Sequence, residues 1–386
     1  MDVETITADQ LTRVYQGLAD FTVLQSLRLG FIPPSLFTAG VPRLTKWLPA
    51  IAGGSPRAEC TQAGWQPVPA ARVPEPLWST RFGQDLGTLL VVAHETGQPV
   101  RAEVSVENAR LGSGAFLFSR RTADGAHYDG RALKNQAIQG ETRWQVEAPV
   151  RQPLLMRAQI AVSPASALRE AEVSETLGIS GATLTAELTG SGQATIRVRV
   201  PPDMKVKAAT WKGAALALSA AKASEVEGRL RPAGKGTLTV QFVSTLFGLA
   251  DEDLLNYPFV AEDRPACTIV IPAQATEREQ HLGRRLQEYF RYWHATAAQP
   301  RATVVIPIQP AGSALSGPQI ILRAGSGPAR VSRDGDNLVF QAPDDAALES
   351  VLFQVLRALD RKYFTAGTLP ATVLHQRLGL AGKTIE

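Results

Sequence analysis

Apolar positions in this chain follow a helical spacing first, then an alternating one, and finally a mixture of short apolar runs and helical stripes. Leu11, Val14, Tyr15, Leu18 and Phe21 recur every three or four residues behind a Thr7–Gln10 capping box, which predicts a helix. Leu24 and Leu27 prolong the stripe until Gly30, and the proline pair in FIPP prevents its continuation. A second short helix is expected in VPRLTKWLPAIAGG, ended by its glycines. This helical segment, residues 1–75, has too few elements to close a core, so it must pack on something else.

From Trp78 the period drops to two. In GTLLVVAHETGQPVRAEVSVENA a strand precedes a turn at ETGQ, and Val100, Ala102, Val104 and Val106 then alternate with polar residues. RWQVEAP and LLMRAQIAV supply further strands. In a second block Ile196, Val198 and Val200 alternate with Arg197 and Arg199, a hairpin is expected at Lys212–Gly213, and Leu238, Val240 and Phe242 alternate again. The lengths fit two consecutive antiparallel β-sandwiches, residues 76–165 and 166–250, with FGLADEDLLNYPFVAEDRPA as the connector that follows.

The remainder, residues 257–386, mixes both periods. CTIVIP reads as a buried strand, and a Thr276–Glu279 capping box opens a helix with Leu282, Leu286, Phe290 and Trp293 on one face. TVVIPI and QIILRAG are strands, and ARVSRDGDNLVFQAP is a hairpin turning at Asp334–Gly335. A last helix carries Leu348, Val351, Leu352, Val355, Leu356 and Leu359 as its apolar stripe, with acids at its start and bases at its end. The order β-α-β-β-β-β-α predicts a single sheet covered by two helices. The fold class is therefore multidomain α+β: a short helical N-terminal segment, two antiparallel β-sandwich domains and a C-terminal α/β domain.

Charge adds little to this picture. The chain has 386 residues, with 40 basic and 36 acidic, and no run of five like charges, so neither nucleic acid nor an anionic membrane is expected as a partner. No apolar run approaches the roughly 20 residues needed to span a bilayer, and MDVETITADQ has no charged-then-apolar leader. A soluble chain is expected, as a secreted protein trimmed of its signal would also be. Cys60 and Cys267 stand far apart without partners at metal spacing, which suits buried, inert thiols.

Most catalytic signatures are missing. No glycine-rich phosphate cradle follows IVIP, and AGSALSGP leads into a strand rather than a helix. The five histidines lack ligand spacing and no G-x-S-x-G elbow is present, so no cofactor and no metal are expected. Glycoside hydrolysis needs two carboxyl groups in named roles. Asp344 and Asp345 read as caps of the last helix, which leaves Asp251, Glu252 and Asp253, near Asn256 and Tyr257, as candidate catalytic acids at a domain junction; a solvated linker is the plainer reading. Aromatic rings can stack on the C–H face of a sugar, and the candidates are Trp211 beside its turn, Trp144 and Tyr292.

Residues 266–366, with IVIPAQATEREQHLGRRLQEYF, PQIILRAG and DNLVFQAPDDAALESVLFQVLRALDRKYF, resemble the small α/β domain that precedes the catalytic barrel in hexosaminidases and α-glucuronidases. Residues 10–108, with LTKWLPAIAGG, GWQPV and RFG, are similar to the exit from a (β/α)₈ glycosidase barrel and the first strands of its C-terminal sandwich. The resemblance implies a carbohydrate-active, glycoside-hydrolase-related protein built of accessory domains, with a carbohydrate or a catalytic barrel domain as partner. It carries over no catalytic residue, because no eightfold βα alternation occurs in the chain. Two other readings stand beside it: a small glycosidase using the junction carboxylates, and an interaction or scaffolding protein.

Overall fold

Period-two alternation becomes two large antiparallel sheets in the computed structural model, which describes residues 24–25, 28–29, 60, 63–121, 133–150, 153–177, 180–201, 204–248, 254, 257–261, 264–290, 305–313, 315–325, 327–352 and 355. The first sheet has eight strands and the second nine, and a third, six-stranded sheet follows them in the chain. Among the described residues no helix is long and apolar enough to cross a membrane.

Strand Leu154–Ser163 organises the first sheet, and nine of its ten residues are buried. Along one edge it pairs with Leu89–Ala93 through residues 154–157 and with Ala194–Arg199 through residues 160–163, so those two strands lie end to end. Its other edge carries Ala115–Arg121. The second sheet runs from the hairpin strands Met204–Trp211 and Ala214–Ala215 through Gly234–Ser244, Gly181–Gly190 and Leu168–Leu177 to Leu133–Ile138, Glu141–Ala148, Val100–Glu107 and Ala71–Arg72. Val104 and Val106 point inward as their alternation requires. The ETGQ turn carries the chain from one sheet to the other instead of closing a hairpin.

Two buried clusters lie between these sheets. One holds Leu90, Val92, Val104, Phe116, Phe118 and Trp144; the other holds Leu117, Ile160, Leu184, Ile196, Leu238 and Val240. The expected division into sandwiches 76–165 and 166–250 matches the clusters only loosely, and the hydrogen bonding does not break at 166. Leu154–Ser163 feeds both clusters, with Met156 and Ala158 in one and Ile160 and Val162 in the other. The second sheet is likewise continuous through Leu168–Leu177, which pairs with Leu133–Ile138 on one side and Gly181–Gly190 on the other. One strand long enough to span two cores, and one sheet continuous across them, join what sequence spacing separates.

The boundary at 75 also moves. Trp65–Gln66 pairs with Trp78–Phe82 and Ala71–Arg72 pairs with Val100–Glu107, so residues 64–75 already belong to the sheets. The helices expected before them lie outside the described residues, apart from single helical positions at 24, 25, 28, 60 and 63. Cys60 packs with Phe82, Leu89, Val91 and Leu155 against the first sheet.

Among the described residues strand Ala115–Arg121 has an edge with no strand against it, and the opposing sheet supplies side chains instead. Asn108 Oδ1 accepts the Phe116 N–H at 3.1 Å, and Asn135 Oδ1 accepts the Phe118 N–H at 2.9 Å. Asn135 Nδ2 donates to the Phe118 carbonyl at 3.1 Å and to Leu133 at 2.7 Å. Buried backbone groups need such partners, and here two asparagines provide them.

A cluster of charges pins the first sheet where its two halves abut. Arg197 grips both oxygens of Asp85 at 2.8 Å and donates to Glu225 at 2.9 Å, while Lys222 reaches Asp85 at 2.7 Å. The Arg197 hydrogen bonds hold the Asp85 carboxyl down to about 2, against the desolvation that burial imposes, and Lys222 helps.

Candidate functional site

The third sheet builds a crevice by its topology. Its order places Ile308–Pro310, Thr268–Ile271, Gln319–Ala324, Asn337–Ala342, Arg330–Asp334 and Phe247–Gly248 side by side, and the first four are mutually parallel. After Thr268–Ile271 the chain forms helix α1 (Glu277–Phe290) and returns to the strand on one side; after Gln319–Ala324 it proceeds to the other side. Neighbouring parallel strands whose connections diverge leave an opening at their carboxyl ends. The hairpin strands turn at Gly335, whose φ of +58° suits glycine at the first central position of a type II′ turn. Leu282 and Leu286 of α1 pack with Leu348, Val351 and Leu352 of the following helix on Ile269, Ile320 and Phe340. This β-α-β-β-β-β-α order follows the sequence expectation, but the strand read in TVVIPI starts only at its last residue, Ile308, and residues 301–304 lie outside the described ones.

At that carboxyl edge lies a shallow, wide-open depression of about 550 Å³, lined by Thr276, Glu279, Gly325, Asp344 and Asp345 among others. Each acid there already has a hydrogen-bonding task. Glu279 accepts the Thr276 N–H at 2.8 Å while Thr276 Oγ1 accepts the Glu279 N–H at 3.1 Å, the reciprocal capping box that the sequence predicts. Thr276 Oγ1 donates to Asp345 at 2.9 Å, and Asp344 Oδ1 accepts the Ala347 N–H at 2.8 Å as a cap of the second helix. Arg278 pairs with Glu349 across the two helices. Thr276→Ala removes the hydroxyl's bonds to the Glu279 N–H and to Asp345 while keeping the backbone N–H bond to Glu279, and thermal unfolding should show a loss of about 1–2 kcal/mol.

The sequence candidates fall in different places. Trp144 is buried at 2% exposure, its ring 4.9 Å from Phe118, so it fills the core and offers no platform to a sugar. Trp211 is half-buried at the rim of the second cluster; a Cβ on Gly236 would stand 2.6 Å from its ring, so glycine lets the indole lie on the strand. Lys212 Nζ sits 5.7 Å from the centre of the same ring, and the Lys212–Gly213 turn is the one expected. Tyr292, Asp251, Glu252 and Asp253 lie outside the described residues. The sequence reading passed over Trp65, which is 49% exposed beside an equally exposed Val68. Its place two residues past a helical position, on a two-residue edge strand, is the signal that exposes it.

Other reactive groups are occupied. Cys60 and Cys267 are buried and free of disulfides, and burial pushes the Cys267 thiol up to about 12, where it is a poor nucleophile. Burial also raises the Tyr257 phenol, whose hydroxyl donates to the Gln319 carbonyl at 2.8 Å. His94 is fully buried, with Nε2 at 3.0 Å from the Ala148 carbonyl and Nδ1 accepting the Thr96 N–H at 3.2 Å.

No protein-family model matches this chain and no curated protein matches it.

Proposed function

We propose that the chain is a carbohydrate-directed, glycoside-hydrolase-related set of accessory domains that supports a catalytic domain and does not itself cleave glycosidic bonds. The observation that carries this reading is the state of the acids in the carboxyl-edge depression. A glycosidase needs one carboxyl group to give a proton and a second to act as nucleophile or base, both facing the scissile bond. Glu279, Asp344 and Asp345 instead accept backbone N–H or hydroxyl hydrogens at the starts of two helices. The resemblance of residues 266–366 to the small domain before a hexosaminidase barrel points the same way, and so do β-sandwich halves ahead of it.

The purified chain should give no turnover on a panel of aryl glycosides while it is retained on polysaccharide. Turnover that disappears in an Asp251→Asn, Glu252→Gln, Asp253→Asn variant of intact fold would replace this reading with a glycosidase whose acids lie at the domain junction.

A further inference from the structure

Near the middle of Leu154–Ser163 the ladder to Ala115–Arg121 slips. Leu117 faces Ile160 and Phe118 faces Ala158, so Gln159 is an extra residue with no opposite number across this pair. A bulge of this kind re-aims a side chain away from the direction that plain alternation gives it. The Gln159 carboxamide ends up fully buried, between Ser119 of the neighbouring strand and Glu175 of the second sheet. Gln159 Nε2 donates to Ser119 Oγ at 2.9 Å and to Glu175 Oε2 at 2.8 Å. Ser119 is fully buried as well, and Glu175 is 2% exposed. Glu175 follows Ala171 and Val173 on the inward face of Leu168–Leu177, beside the cluster that holds Leu117, Ile160 and Leu184.

A polar plug that fixes the bulge would account for the two bonds made by Nε2. It does not account for Gln159 Oε1, which is buried and has no hydrogen-bond partner among the described residues. Closed polar networks in a protein interior do not leave a carbonyl in that state without a reason. The groups present are those of an acyl transfer. A hydroxyl lies beside a carboxamide, a carboxyl group touches the nitrogen that would leave, and both distances fall within reach for a nucleophile and its acid–base partner. An ester carbonyl demands a hydrogen bond less than an amide carbonyl does, so the transfer relieves the orphaned oxygen.

We propose that Ser119 and Gln159 join in an intramolecular ester that ties Ala115–Arg121 to Leu154–Ser163. Ser119 Oγ attacks Gln159 Cδ, the new C–O bond forms, the C–N bond breaks, and the nitrogen departs as ammonia. The hydroxyl proton reaches the departing nitrogen through Glu175, which finishes the step as it began. Nothing is oxidised or reduced, and no co-reactant is consumed. Burial then keeps water away from the product. No donor among the described residues is placed to steady an oxyanion at Oε1, so the step is slow, which a reaction made once per chain tolerates. The bond falls where it is useful, because among the described residues Ala115–Arg121 pairs with Leu154–Ser163 alone. This inference goes beyond the carbohydrate-directed reading and does not depend on it.

The test is the intact mass of the purified full chain under denaturing conditions, followed through prolonged incubation of the folded protein, with fold checked by circular dichroism. The wild-type chain should weigh one ammonia less than its sequence requires. Digestion should release a branched peptide that carries both Ser119 and Gln159, and hydroxylamine, which cleaves esters, should part it. Ser119→Ala should keep its full sequence mass, and Glu175→Gln should slow the loss of ammonia by about a hundredfold, as removal of an acid–base group does. Should either variant misfold, the wild-type peptide map decides alone. A wild-type chain that keeps its full mass overturns the proposal, and so does a missing ammonia that persists in Ser119→Ala or maps to other residues. A folded Glu175→Gln chain that loses ammonia at the wild-type rate overturns the role given to that carboxyl group.

Discussion

Replacing Arg197 with methionine should cost the fold about 3 kcal/mol, a large share of the stability that a protein normally has. The guanidinium is one-fifth exposed and stands between two carboxylates, Asp85 at 2.8 Å and Glu225 at 2.9 Å. Methionine fills similar space but leaves those like charges together, with Lys222 alone to balance them, and Glu225 is 6% exposed, too buried for water to screen it well. Exposed ion pairs elsewhere, such as Arg101–Glu147, should contribute less than about 1 kcal/mol.

The pH dependence follows from the depressed Asp85 carboxyl. It sits at about 2 in the folded protein, against about 3.9 in an unfolded chain. Its contribution is therefore complete above about pH 4 and is lost as the pH falls towards 2, where the unfolded chain takes up the proton more readily. Most of that depression comes from Arg197, so the variant lacks it. Denaturant titrations of the two proteins should lie furthest apart near neutral pH and converge below pH 4; a constant gap would show that the arginine acts through packing alone.

Asn135→Leu should be as damaging, at about 3 kcal/mol, although leucine keeps the same branched outline of four side-chain heavy atoms. The side chain is fully buried and satisfies the Phe118 N–H, the Phe118 carbonyl and the Leu133 carbonyl at once. Leucine leaves all three backbone groups in an apolar interior, each at a cost of about 1–3 kcal/mol before the structure relaxes. Urea unfolding measures the total. Hydrogen exchange at the Phe118 amide distinguishes the cause, since protection there should fall more than at the neighbouring Leu117.

What could be read from the chain was local. Val100 to Val106, Ile196 to Val200 and Leu238 to Phe242 announce their buried faces because side chains on a strand alternate by geometry. The Thr276–Glu279 box and the turns at Lys212–Gly213 and Asp334–Gly335 are legible for the same reason, as each is settled within four residues. Long-range choices left no such trace. Arg197 reads as an ordinary outward residue in an alternating strand, yet its partner Asp85 is 112 positions away. Asn135 carries no pattern that announces a strand edge on the opposite sheet. Trp144 and Trp211 look alike as aromatics in strands; only the packing of Phe118 around one and the bare backbone of Gly236 under the other tell them apart.

Leu154–Ser163, which runs through both cores, and Leu168–Leu177, which carries the second sheet onward from it, have a consequence for how such a protein could be divided or inherited. Leu154–Ser163 and Leu168–Leu177 meet at the short turn Ala165–Ala167, the place where spacing suggests a seam. A cut there would give each piece one long strand whose partners had gone with the other piece. The first piece would display the edge of Leu154–Ser163 that Ala194–Arg199 now covers, and the second would display the edge of Leu168–Leu177 that Leu133–Ile138 now covers. Open edges of that kind recruit whatever strand comes next, including another copy of themselves. Residues 64–244 therefore travel as one indivisible block, and recombination between related genes would not be tolerated through its middle.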